Sequence, residues 1–212
     1  MNVSLKTAAL AAGLLALPFT ASAFTITQAN VTATGDVADG VAAPASRFDV
    51  DNIYDGDTAS FYSLGDGGSL TIDVSPLTLL SPATVLEVTF GTPNSAFPES
   101  AQVFFGADLA GELFNDGSFS SESGFTISNP SSGANGAAFE IAFSGGPFSS
   151  LTFLDTTMTN FAGSYNANKV TDGFDIAEIS VNAVPLPPAL ALFFAPLALL
   201  GLIGARRRRA AA

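Results

Sequence analysis

Between residues 24 and 183 the chain is a succession of short segments in which β-branched and aromatic residues alternate with polar ones. They read FTITQANVTATG, SLTIDV, TVLEVTF, AQVFFGA, GFTIS, AAFEIAF, LTFLDTTM and FDIAEISVN, and Gly, Pro, Asn, Asp and Ser crowd the intervals between them. A period of two places successive side chains on opposite faces of a strand, and the intervals carry the turn formers that reverse it. No stretch sustains the 3.6-residue period of a helix. The pattern predicts about eight strands in an all-β, antiparallel jelly-roll β-sandwich, with the 19 phenylalanines supplying apolar area to its interior.

The two ends of the chain break this pattern. Residues 1–23 carry one positive side chain, Lys6, then the apolar run AALAAGLLAL, then Pro18 and the small-residue ending Ala21-Ser22-Ala23. That order is a secretory signal peptide, with cleavage expected between Ala23 and Phe24. At the other end, VPLPPALALFFAPLALLGLIGARRRR occupies residues 184–209. The 17 residues 189–205 carry no charge, enough for a helix of roughly 25 Å, the thickness of a thin hydrocarbon layer. Pro196 is costly in a water-exposed helix and tolerated in a membrane one. Arg206, Arg207, Arg208 and Arg209 would stay on the cytoplasmic side as the start of a tail, 206–212, leaving the domain outside, as the signal peptide requires. Pro185, Pro187 and Pro188 fix φ and lack amide donors, so 184–188 should be extended and presentable to an enzyme groove.

This proline motif, short apolar helix and terminal arginine block resemble the PEP-CTERM class of bacterial sorting signals, with Val184, Pro185, Leu186 and Pro187 similar to its VPLPA variant; Pro188 stands where that variant has Ala. The resemblance implies a Gram-negative source and an inner-membrane intermediate with the domain outside. An exosortase, a membrane-embedded cysteine protease-transpeptidase, would cut at the motif and deliver the domain to the cell surface or extracellular space.

Composition narrows the chemistry. The chain has no Cys and no His, so it has neither a disulfide framework nor the commonest general base and zinc ligand. All 19 acidic residues fall within 24–183, where the basic ones are Arg47 and Lys169. A field of that sign repels phosphate backbones, which excludes nucleic acid as a partner and favours divalent cations. No pair of carboxylates is singled out by spacing, so a glycoside hydrolase is the least favoured of three readings. The first is a non-enzymatic surface or matrix protein; the second is a carbohydrate-binding module that tethers cells to exopolysaccharide.

The densest acidic stretch holds Asp49, Asp51, Asp55, Asp57 and Asp66 within eighteen residues. Hard oxygen donors in a glycine-containing loop suit Ca²⁺, although the twelve-residue EF-hand pattern is absent. Asp55-Gly56-Asp57 with Ser60 and Tyr62, the strand Gly68–Val74, the segment Glu99–Asp108 and the closing Ala177-Glu178-Ile179 are similar to the ordered motifs of discoidin-like or galactose-binding-like domains. That resemblance implies a structural calcium site on Asp55, Asp57, Ser60 and Glu178, which would join the first and last strands. Tyr54, Tyr62, Tyr165 and Asn166 are candidates for a sugar-binding surface, because loops of such sandwiches present aromatic and polar groups.

Overall fold

A computed structural model describes residues 24–35, 45–88, 97–131, 137–165 and 171–185. The expected signal peptide, the apolar segment 189–205, Arg206 to Arg209 and Asn166 lie outside them. Among the described residues no helix is long and apolar enough to cross a membrane.

Among the described residues, eleven strands form two antiparallel sheets. In chain order they are β1 (Val31–Thr34), β2 (Tyr62–Ser63), β3 (Ser69–Asp73), β4 (Leu77–Glu87), β5 (Ser100–Phe105), β6 (Asp108–Phe114), β7 (Phe119–Ser121), β8 (Phe125–Ser131), β9 (Ala138–Phe143), β10 (Ser150–Asp155) and β11 (Asp175–Pro185). One sheet runs β1-β3-β10-β5-β6-β7 and the other β2-β11-β4-β9-β8. The all-β, antiparallel sandwich is thus as the alternating pattern predicts, and β3, β5, β8, β9, β10 and β11 coincide with the segments named above.

Three strands were not in that expectation, and each has a local reason. The two-residue β2 is too short to show a period. In β6, DLAGELF, Gly111 interrupts the alternation where the pairing with β5 shifts register between Val103 and Phe104. A Cβ on Gly111 would lie 2.1 Å from the Ser120 carbonyl oxygen, so the close approach of β7 requires glycine there. All of β7 is exposed, so no apolar alternation marks it. LTFLDTTM ends differently from a strand: β10 stops at Asp155, and Thr157–Phe161 form a short helix, α1.

Alternate residues of the longer strands enter one shared core. Leu70 and Ile72, Leu151 and Phe153, Val103 and Phe105, and Leu113 come from one sheet; Val85, Phe139, Ile141, Ile176, Ile179 and Val181 come from the other. Each fully buried Leu, Ile or Phe contributes about 1.5–3 kcal/mol relative to exposure. One end of the core is closed by aromatic rings. Phe105 lies 5.5, 4.4 and 5.7 Å, between ring centroids, from Phe125, Phe143 and Phe148.

The first two residues of the proline motif belong to the fold. Val184 and Pro185 lie in β11, opposite Thr78 and Leu77 of β4. They are extended, as their prolines require, and they are paired in the sheet rather than forming a linker after it.

Candidate metal centre

The end of the sandwich opposite the aromatic cluster is built from carboxylates at strand termini. Glu87 ends β4, Asp155 ends β10, Asp175 begins β11, Glu99 immediately precedes β5, and Asp172 stands in the segment leading to β11. Glu87, Glu99, Asp155 and Asp175 are buried, Glu87 fully so. Antiparallel pairing brings starts and ends of neighbouring strands to the same edge, and the packing of the two sheets brings Glu99 and Asp155 of one to Glu87 and Asp175 of the other.

Within this group, oxygens of Glu99, Asp172 and Asp175 lie within 4.8 Å of one another. Two neighbouring segments hold them. The hydroxyl of Ser63 in β2 donates to Asp175 Oδ1 at 2.6 Å and approaches Asp172 Oδ2 at 3.4 Å. The Gly65 amide donates to the Asp172 carbonyl at 2.7 Å, and the Leu64 amide to the Phe174 carbonyl at 3.1 Å. Gly173, at φ +86°, lets these segments touch: a Cβ there would sit 2.6 Å from the Gly65 carbonyl oxygen. Asn115 fixes Glu99, its Oδ1 accepting from the Glu99 amide at 3.1 Å and its Nδ2 donating to Glu99 Oε2 at 3.4 Å.

Positive charge here comes from Arg47, whose guanidinium is paired with Asp172 Oδ2 and lies 5.1 Å from the centroid of the Phe61 ring. The Arg47 and Asp172 side chains are 30% and 13% exposed. Arg47 is the one basic residue among the described residues.

Electrostatics follow from burial. Desolvation raises the Glu99 carboxyl well above the ordinary range, and the charges of Asp175, Asp172, Glu87 and Asp155 push it further. Asp175 is raised well above its usual value, first by burial and then by Asp172; Glu87 adds to this, while the Ser63 hydroxyl and Arg47 oppose it. Burial also raises Asp155, against the hydrogen bonds that favour its charged form. Those come from the Gly67 amide at 3.1 Å, the Thr157 hydroxyl and amide at 2.7 and 3.2 Å, and the Phe174 amide at 2.9 Å. Asp155 is therefore a structural acceptor that ties three segments together. Glu99, Asp172 and Asp175 offer only hard oxygen donors and share too little positive charge, a combination that could hold a divalent cation.

The other expected metal ligands are arranged differently. Asp55, Asp57 and Ser60 meet in an exposed turn: Ser60 Oγ donates to Asp55 Oδ2 at 2.8 Å, the Asp57 amide to Asp55 Oδ1 at 2.7 Å, and the Ala59 amide to Asp57 Oδ1 at 3.0 Å. Three of their four carboxylate oxygens thus accept hydrogen bonds from local turn donors. Glu178 stands on β11, opposite Leu86 of β4, and lines a groove with Tyr54. Asp55, Asp57 and Glu178 are not among the carboxylates that gather within 4.8 Å.

The expected sugar-binding tyrosines do not share an exposed face. Tyr62 is 5% exposed and belongs to the core, and Tyr165 is 9% exposed, its hydroxyl donating to the Pro98 carbonyl at 2.5 Å. Both rings are packing elements. Tyr54 is half-buried and its hydroxyl donates to Asp51 Oδ1.

Sequence spacing pointed to the compact run from Asp49 to Asp66 and missed Glu99, Asp172 and Asp175, which are separated by up to 76 positions. The usable signal was Asp172-Gly173-Phe174-Asp175, two carboxylates around a glycine just before the last strand. No protein-family model matches the chain, and no curated protein matches it.

Proposed function

We propose that this chain is an exported, non-enzymatic cell-surface or extracellular-matrix protein. Its sandwich is read as a jelly roll, stabilised by calcium and delivered by an exosortase-type C-terminal signal. The observation that carries the reading is the placement of the proline motif. β11 is described as far as Pro185, and a cut beyond that residue would leave every strand among the described residues intact while removing the apolar segment and arginines. The interleaving of early and late strands, with β10 between β3 and β5, supports the jelly-roll reading.

Calcium belongs to this reading because the extracellular space supplies it at concentrations that weak oxygen sites can use. The donors that favour it are Glu99, Asp172 and Asp175, in place of the exposed Asp55-Asp57-Ser60 turn with Glu178. Burial of these carboxylates behind the strand ends also favours a structural role over a hydrolytic pair, which needs an open cleft with room for a sugar and a water.

The test is the intact mass of the protein recovered from the surface of the cells that make it. A chain beginning at Phe24 and ending between Pro185 and Pro188 is expected. A chain ending at Ala212 would replace the sorting reading with a retained membrane anchor.

A further inference from the structure

The first described residues, Phe24, Thr25 and Ile26, line a groove of about 180 Å³. Glu178, Ile179, Ser180 and Val181 of β11 line it as well, together with Tyr54. Ile26 is buried in the core, and Phe24 packs against it, so the start of the segment is anchored beside β11. The polar groups of the groove are acidic or neutral. Glu178 makes no side-chain hydrogen bond or ion pair among the described residues, and Asp51 stands behind Tyr54, bonded to its hydroxyl. No basic side chain lines the groove.

We propose that this groove is the binding site for the chain's own new N-terminus. Cleavage between Ala23 and Phe24 turns a neutral peptide nitrogen into an α-ammonium, and that charge pairs with the Glu178 carboxylate. The inference rests on the signal-peptide reading given under Proposed function. Balance is simple: hydrolysis of the Ala23–Phe24 bond adds one water, leaving a carboxylate on the departing leader and an ammonium on Phe24. The uncleaved precursor cannot form this pair, because its Phe24 nitrogen is an amide. The ion pair therefore fastens the edge segment leading into β1 to the last strand only after export. It also assigns Glu178 a partner other than calcium.

The chain as exported is well suited to a test, because after loss of Lys6 its amines are the Phe24 α-amine and Lys169. Protein recovered after export is labelled with an acylating reagent in chelator near neutral pH. Digestion and mass spectrometry then give labelling at Phe24 relative to Lys169, for the natural chain, Glu178→Gln and, as a control elsewhere on the same sheet, Glu140→Gln. An exposed ion pair slows acylation of the amine by about two- to fivefold. The expected result is that Glu178→Gln raises relative labelling of Phe24 by that factor while Glu140→Gln leaves it unchanged. Equal labelling in all three, or an equal rise in both variants, overturns the pair while leaving cleavage at Phe24 intact. An N-terminus other than Phe24 overturns both the pair and the cleavage reading on which it rests.

Discussion

The two ends of the sandwich are closed by opposite chemistry. At one, Phe105, Phe125, Phe143 and Phe148 stack into an aromatic plug; at the other, Glu87, Glu99, Asp155, Asp172 and Asp175 converge with Arg47 as the positive charge paired among them. The aromatic end is stable under any condition that preserves the hydrophobic effect, because nothing in it ionises. The acidic end is conditional. It needs protons, Arg47 or an added cation to offset the repulsion of carboxylates brought together by strand pairing and sheet packing.

The largest effect should come from emptying the unconditional end. Phe105 is fully buried, and Phe105→Ala should lower the unfolding free energy by about 3–5 kcal/mol, by the same amount at pH 5 and pH 8. Chemical denaturation at both pH values measures this, and a strongly pH-dependent loss would undo the contrast between the ends.

Asp155→Ala should cost about 3 kcal/mol or more, since it leaves the buried amides of Phe174 and Thr157 without their acceptor. The same denaturation experiment reads it. A loss below about 1 kcal/mol would mean that water replaces the carboxylate.

The pH dependence at the acidic end has a definite sign. Glu99, Asp175 and Asp155 have raised values in the folded protein, so the folded form holds these protons more tightly than the unfolded chain does. Their stabilisation is fully present below the ordinary carboxylate range, near pH 4, and is lost as pH rises through the raised values. In chelator, melting temperature should therefore fall between pH 5 and pH 8. Glu99→Gln should flatten that slope, because an amide keeps the shape of the protonated acid without its charge.

Smaller effects lie further from the buried oxygens. Arg47→Ala should cost about 1–2 kcal/mol, less than a fully buried pair because its guanidinium is partly solvated. Asp57→Ala in the exposed turn should cost less than about 1 kcal/mol, the worth of a local side-chain hydrogen bond to backbone.

How far the sequence could be read depended on whether the signal was local. Alternation in LTFLD and SLTID is local, so β10 and β3 were legible, as was the antiparallel sandwich they form. The β6 segment was not, because its register shift against β5 breaks the period at Gly111. The acidic run from Asp49 to Asp57 was conspicuous for the same local reason, yet the fold spends its oxygens on a turn. Glu99 and Asp175 belong to opposite sheets and become neighbours only when the two sheets pack, and Tyr62 and Tyr165 turn inward because the core claims their rings. Linear spacing carries neither fact.

The proposed calcium site lies at the buried acidic end, on Glu99, Asp172 and Asp175. Thermal unfolding at pH 7.5, in chelator and then in millimolar calcium, tests it most directly on the natural chain, on Glu99→Gln combined with Asp175→Asn, and on Asp55→Asn combined with Asp57→Asn. Calcium at about 100 times its dissociation constant adds about 2.7 kcal/mol to the stability of a one-site protein. A rise of several degrees is expected in the natural chain and in the Asp55/Asp57 variant, and none in the Glu99/Asp175 variant. No rise in the natural chain, or a rise abolished by the Asp55/Asp57 substitutions alone, would contradict it.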